Sequence, residues 1–494
     1  MTQTRIKHVV VLMLENRSFD HLFGFFPAPA GQTIDNLLGA AHTNRLDPDK
    51  PVGTNNPEFA ATKPAPFAVH DKEGPSHSFN QVGVQLCNDK AGPSAAHPIR
   101  NNGFVRSYKD DLLRRTHVVD RDKIHEVMQS FAPTQLPAIN QLAHEFCLCD
   151  HWFCEVPGPT MPNRMYVHAA TSEGYVHNNF KRDYLSKTIY ELVAAKNLTW
   201  CQYSHDLSEV LQFKNLGHSP NHFRRFDARW ASDVAAGNLP NYVFILPQFT
   251  NRKATGTKPA KPANSQHAPE DVRHGEHLIA DVYDALAANL PLFQETVLVV
   301  TYDEHGGFYD HVAPPGPATN PDGQNSPNPD DDAQFQVPAF SFDRIGLRVP
   351  AVIVSPWIRK GTVENRRLQH TSVIKTASEL FGLAGPLTHR DAEAASFADL
   401  FTHLPAPRDA AHMPSKLTRP TLAQAIVSTA AGIEVDPGDE PLDSLTTEWV
   451  QGFAELVSRR TGAALLGAAA PEALPTTQGE AADFIDRQLR LLGI

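Results

Sequence analysis

Cysteine is scarce in this chain: five in 494 residues, an odd number. That excludes a disulfide-stapled scaffold. Three of them fall in the run CLCDHWFC from Cys147 to Cys154, but the paired spacings of a zinc cluster are missing, so buried apolar thiols are expected. Basic residues are also in short supply, 44 Lys and Arg against 55 Asp and Glu, for a net charge of −11. With no basic excess, a nucleic-acid partner is not expected. No apolar run approaches the ~18–20 residues that a membrane-spanning helix requires. The stretch from His8 to Leu14 is short, stops at Glu15 and carries no small-residue cleavage site, so no signal peptide is expected. The chain is therefore expected in the cytoplasm or peripheral to a membrane. At 41% apolar and 20% charged it is neither disordered nor a coiled coil.

What is present is a set of continuous β-branched runs. Val9–Leu14, Thr296–Thr301, Val349–Ser355 and Asn241–Leu246 read as strands buried on both faces. Helix-compatible stretches such as Asp271–Ala288 and Thr371–Phe381 lie between them. The alternation predicts an α/β fold with a central, mostly parallel sheet flanked by helices. Segments 27–100 and 313–340, rich in Pro, Gly and Asn, read as long loops. After Phe401 come helix-like segments around 419–432, 443–460 and 479–493. The expected organisation is a domain over 1–401 and a C-terminal helical appendage over 402–494. In the last helix Phe484, Ile485, Leu489 and Leu492 share one face, expected to pack on the body rather than on lipid.

Ligands of open α/β sheets sit beyond the carboxyl ends of the strands. Two strands distant in sequence end there in acidic or amide groups: Glu15-Asn16 after the first, Asp303-Glu304-His305 after another. Taken alone, Asn16 reads as the N-cap of a helix starting at Arg17, with Glu15 beside it. The second cluster is harder to explain that way, because adjacent carboxylates at a buried strand exit repel unless a cation or proton intervenes. Glu, Asn and Asp oxygens suit a divalent metal. In Val156–Arg164, Pro157, Pro159 and Pro162 stiffen a turn into a helix start. There Thr160 can cap the helix and also present its hydroxyl to a phosphate at the helix N-terminus. A threonine hydroxyl is a weak nucleophile until a base or metal activates it. Of the 24 histidines, His77, His267 and His305 stand in settings suited to donating to phosphate oxygens.

The segments MLENRSFDH, GPSHSF, VPGPTMPNR and TYDEHGGFYDHV resemble the bacterial phosphoesterase family of phospholipases C and acid phosphatases. HAPEDVRHGE, FDRIGLRVPAVIVSPWIRKGTV and LQHTS look especially like plant non-specific phospholipases C. The likeness runs in one order from about Ile6 to Phe401. It implies an alkaline-phosphatase-superfamily-like fold and a ping-pong reaction through a phospho-threonine. Glu15, Asn16, Asp303 and Glu304 would ligate one divalent metal (Ca, Mg, Mn or Zn, with Fe also open). Thr160 would be nucleophile and metal contact. His77 and His267 would surround the phosphoryl group, with His305 close by as a catalytic group. Asn163 and a further histidine would bind substrate; His222 is the candidate, with His218 competing, while His311 and His370 read as structural. Threonine where the acid phosphatases typically have serine favours a phospholipid substrate, met through transient contact with a membrane surface. A broad-specificity acid phosphatase using the same residues, and a non-catalytic metal or lipid binder, are the alternatives. The oligomeric state is not legible.

Overall fold

The apolar run at the N-terminus forms strand β1 (His8–Leu14), whose residues from Val9 onward are all buried. A strand with no polar face is stable only when covered on both sides, and β1 lies in the middle of an eight-stranded sheet. The structure, a computed structural model, describes residues 5–180, 182–206, 208–255, 260–327, 339–422, 427–428, 434–435, 437–461 and 474–494. The other strands of the sheet are β2 (Cys147–Cys149), β3 (Trp200–Ser204), β4 (Phe223–Arg225), β5 (Tyr242–Ile245), β6 (Thr296–Tyr302), β7 (Ala351–Val354) and β8 (Thr362–Glu364). Their spatial order is β8-β2-β7-β6-β1-β5-β3-β4. Neighbours pair in parallel except around β7, which is antiparallel to both β6 and β2. The expected mostly parallel sheet is therefore present, and the run around Val352 is its one reversed strand among the described residues.

One register matters for everything that follows. β1 pairs with β6 from His8 beside Thr296 to Leu14 beside Tyr302. The next residues, Glu15 and Asp303, thus leave the sheet side by side at its carboxyl edge.

The helices Arg273–Ala288 and Thr371–Phe381 form close to their expected limits. Segment 27–100 is mostly loop, with a short hairpin (Thr43–Arg45 with Glu58–Ala60) and a helix, Phe79–Cys87. All five cysteines are free and buried, as expected of apolar thiols. In the C-terminal part, helices Ser444–Thr461 and Gln478–Leu491 are present. The segment around 419–432 does not form the expected helix where it is described: residues 419–422 are irregular and Val427–Ser428 pairs as a strand with Glu434–Val435. The rest of that segment, and residues 328–338 of the 313–340 loop, lie outside the described residues. The apolar side chains Trp449, Phe453, Phe484, Ile485 and Leu489 belong to the same core as the sheet. No described helix is long and apolar enough to cross a membrane.

Candidate active site

Asn16 does not cap a helix. It adopts the left-handed conformation at φ 59°, and Ser18 caps the short helix Phe19–Phe23 instead. That kink turns the Asn16 backbone N–H onto Asp303 Oδ1 at 3.0 Å, tying the two strand exits together. Gly306 (φ 66°) is required beside it, because a Cβ there would fall 2.1 Å from the Asn16 carbonyl oxygen. Gly307 (φ 75°) likewise lets the Pro75–Ser76 backbone come close, which delivers His77.

Thr160 is the first residue of the helix Thr160–Ala169; the capping position falls on Pro159, which makes no side-chain cap bond. Asn178 does part of that work, accepting the Met161 N–H at 2.9 Å. The Thr160 hydroxyl is buried and points at Asn16 Oδ1, 3.4 Å away. Two oxygens bound to one cation at ~2.1–2.4 Å, at right angles, would lie about 3.0–3.4 Å apart. Residues from two distant motifs thus meet at ligand spacing.

The charge around them is lopsided. Glu15, Asp303, Glu304 and Glu209 are all buried. Their main counter-charge is Arg164, itself fully buried, at 3.3 Å from Glu15, 3.2 Å from Asp303 and 3.3 Å from Glu209. Burial raises Glu15 well above the usual carboxylate range, reinforced by Asp303. Asp303 is pushed up to about 6 by burial, with Arg164 pulling the other way and Glu304 adding repulsion. Glu15 Oε1 and Glu304 Oε1 accept no hydrogen bond; Glu15 Oε1 faces Arg164 Nη2 at 3.3 Å and Glu304 Oε1 faces His77 Nε2 at 3.6 Å. Two carboxylate oxygens without hydrogen bonds, beside an amide and a hydroxyl oxygen, are a donor set that fits a hard or borderline divalent cation.

His77 places its Nδ1 3.0 Å from Pro75 O and its Nε2 3.3 Å from Asn16 Nδ2 and 3.6 Å from Glu304 Oε1. His267 stands with its ring 6.0 Å from that of His77, its buried Nε2 without a hydrogen-bond partner. Burial, then the proximity of His77 and Arg17, pushes it down to about 3, so it is neutral near pH 7. Both rings line a cavity of about 290 Å³, together with Asn16, His177, Asp443 and Glu448. A narrower one adjoins it between Glu15, His267, Glu270 and Trp449.

Three expected site residues lie elsewhere. Asn163 is consumed by the turn before Thr160: its Oδ1 accepts the N–H groups of Glu155 and Val156 at 2.8 Å. Its Nδ2 faces the carbonyls of Val156, Gly158 and Pro159. His222 stacks on Trp200 at 4.0 Å, and Trp200 begins β3 level with Tyr242 and Val9, at the opposite end of the sheet. Its competitor His218 lies in the same loop, between the helical turn Lys214–Leu216 and β4. His305 turns away from the cleft and bonds Gln85 Oε1 at 2.8 Å; Gln85 in turn donates to the Ser76 carbonyl, so this histidine braces the His77 loop. His370, by contrast, serves structurally as expected, bonding the Asp303 carbonyl at 2.7 Å and accepting from Trp152. His311 joins Asp20 and Asp310 in a cluster whose ligand atoms lie within 4.8 Å of one another. Arg348 already pairs with both carboxylates at 2.9 Å, so a guanidinium fills the cationic position there.

Comparison with known proteins adds the following. Residues 6–384 match the model of the phosphoesterase family. Non-specific phospholipase C6 of Arabidopsis thaliana is 36% identical over 421 residues, 82% of this chain and 74% of that protein. Non-specific phospholipase C3 of the same plant is 32% identical, covering 91% and 82%. Among solved structures, a protein in the alkaline phosphatase superfamily from Vibrio parahaemolyticus aligns at 10% identity and TM-score 0.32, over 52% of this chain and 64% of that one. That structural likeness is too slight to bear on the chemistry.

Proposed function

The chain belongs to the phosphoesterase family, and from that premise we propose that it is a metal-dependent phosphodiesterase of phospholipase C type. It is a hydrolase acting on phosphoric esters. The finer reading is cleavage of glycerophospholipids to diacylglycerol and a phospho-headgroup, by way of a phospho-threonine at Thr160. The observation that carries it is the meeting of the Thr160 hydroxyl with the Asn16 amide oxygen, 3.4 Å apart, beside the buried carboxylates of Glu15 and Glu304, whose Oε1 atoms accept no hydrogen bond. Plant relatives named phospholipases C support the substrate class.

Glu15, Asn16, Asp303, Glu304 and Thr160 would hold one divalent metal. Bound there, it would supply Lewis-acid stabilisation of the phosphoryl oxygens and ease deprotonation of the adjacent hydroxyl. Thr160 Oγ attacks phosphorus in line with the departing glycerol oxygen. His77 and His267 orient the non-bridging oxygens from the cleft wall. Arg164 keeps the buried carboxylates fixed as charge develops, so little reorganisation is needed in the transition state.

Thr160→Ala should lower turnover of phosphatidylcholine by several orders of magnitude while the melting temperature is kept. Metal stripping followed by restoration with one divalent ion at a time should abolish and recover the wild-type activity. Wild-type rates from Thr160→Ala would show that another group is the nucleophile. Strong hydrolysis of p-nitrophenyl phosphate with no lipid cleavage would make the enzyme a phosphomonoesterase.

A further inference from the structure

Sequence motifs did not single out His177. It lies on the loop after the Thr160–Ala169 helix, is 8% exposed, and shares the main cleft with Asn16, His77 and His267. Its position relative to Thr160 is fixed through the next residue, because Asn178 takes the Met161 N–H of the nucleophile helix. The ring packs edge-on to Tyr175 at 5.7 Å, and Nδ1 lies 3.2 Å from the Asn178 carbonyl oxygen, within reach to donate to it. That assigns proton transfer to Nε2.

Glu448, on the helix Ser444–Thr461, lines the same cleft; burial raises its carboxyl and the neighbouring His177 pulls it back down. Two contacts hold this helix against the His177 loop. Phe180 and Trp449 pack at 4.5 Å, and a Cβ added to Gly452 would fall 2.3 Å from the Phe180 Cβ. The two walls are therefore one packed unit. His77 is tied to Pro75 O and to the amide of Asn16, one of the residues that would hold the metal, which suits it to the non-bridging oxygens rather than to the leaving group.

Resting on the function proposed above, we infer that His177 is the proton donor to the departing alcohol and that Glu448 is its positioning residue. As the bond from Thr160 Oγ to phosphorus forms, the threonine proton passes to solvent. The bond from phosphorus to the diacylglycerol oxygen breaks, and that oxygen takes the Nε2 proton of the His177 imidazolium, which becomes a neutral ring still holding its Nδ1 proton toward the Asn178 carbonyl. Water then attacks phosphorus and gives a proton back to His177. The bond to Thr160 Oγ breaks, and Thr160 regains its proton from solvent. The sum is one water consumed per ester cleaved.

The test uses two substrates that share phosphocholine: phosphatidylcholine, whose alkoxide leaves poorly without a proton, and p-nitrophenyl phosphocholine, whose phenolate leaves unaided. His177→Gln should lower the ratio of kcat on the first to kcat on the second by about 10²–10⁴. Glu448→Gln, on an exposed side chain, should lower the same ratio by a smaller factor. A His177→Gln variant that leaves the ratio unchanged overturns the inference. If both rates collapse together in His177→Gln, Glu448→Gln decides, and an unchanged ratio there overturns it as well. Wild-type turnover by Thr160→Ala would instead bring down the parent assignment of the nucleophile.

Discussion

Arg164 carries the electrostatics of the site on one side chain. Its three nitrogens face Asp303, Glu209 and Glu15, while Nη2 also reaches the carbonyls of Met13 and Leu14. Removing one partner of such a buried set leaves charge without compensation, at a cost of roughly 3–5 kcal/mol. Lysine keeps the charge but not the planar fork, and it can face only one of the three carboxylates well. Arg164→Lys is expected to melt lower and to need at least tenfold more divalent cation for half-maximal activity; a cation titration of the purified variant checks this. An unshifted titration curve would mean that Arg164 does not preset the carboxylates. That the acidic residues of the candidate site come together was legible in the sequence, because adjacent carboxylates at a buried strand exit have few structural uses. Arg164 was not, although it sits in a quoted motif, because its partner Glu209 comes from an unpatterned turn. Asn163 and His222 failed for a related reason. A one-dimensional pattern marks a polar residue but cannot say whether it faces the turn behind it or the cleft ahead.

At the scale of elements, helix Pro137–Glu145 begins without a capping side chain of its own. Glu276, on the neighbouring helix Arg273–Ala288, supplies one by accepting the N–H groups of Ala138 and Ile139 at 2.6 and 3.2 Å. Burial pushes the Glu276 carboxyl up to about 8, against which the two N–H bonds pull down. An unfolded glutamate titrates near ~4.3, so the folded state holds this proton more tightly. The stability it contributes is complete below that value and is lost as pH rises through about 8. Glu276→Gln has one acceptor oxygen instead of two and should begin less stable at pH 5. The gap in melting temperature should then narrow towards pH 9, and parallel curves from scanning calorimetry would rule this ionisation out. Such inter-helix capping had no sequence marker, whereas the helix periodicity and the long strands did. The strands that went unread, Cys147–Cys149, Trp200–Ser204, Phe223–Arg225 and Thr362–Glu364, are short or mixed in polarity. They are strands because a neighbour pairs with them.

At the scale of the whole molecule, the parts before and after residue 401, read from the sequence as a catalytic domain and a helical appendage, share one core. Trp449 packs against Phe180 and Phe249 at 4.5 and 4.7 Å, and Asp486 binds both Arg225 and Arg252. Phe484, Ile485, Leu489 and Leu492 are buried, so the apolar face of the last helix is turned inwards, and Leu491 is left outside at 61% exposure. A shared core should unfold as one unit. Ile485→Ala is then expected to destabilise the entire protein by roughly 2–5 kcal/mol. In a urea titration, phosphoesterase activity and tryptophan fluorescence should be lost together, at a lower midpoint than in the wild type. Leu491→Asp should alter neither that midpoint nor binding to phosphatidylcholine vesicles, because its side chain already faces water. Two separated transitions in the Ile485→Ala titration, with activity surviving the first, would mean that the C-terminal helices fold apart from the sheet. The cleft wall formed by Asp443, Glu448 and Trp449 would then be an attachment to the catalytic body rather than a part of it.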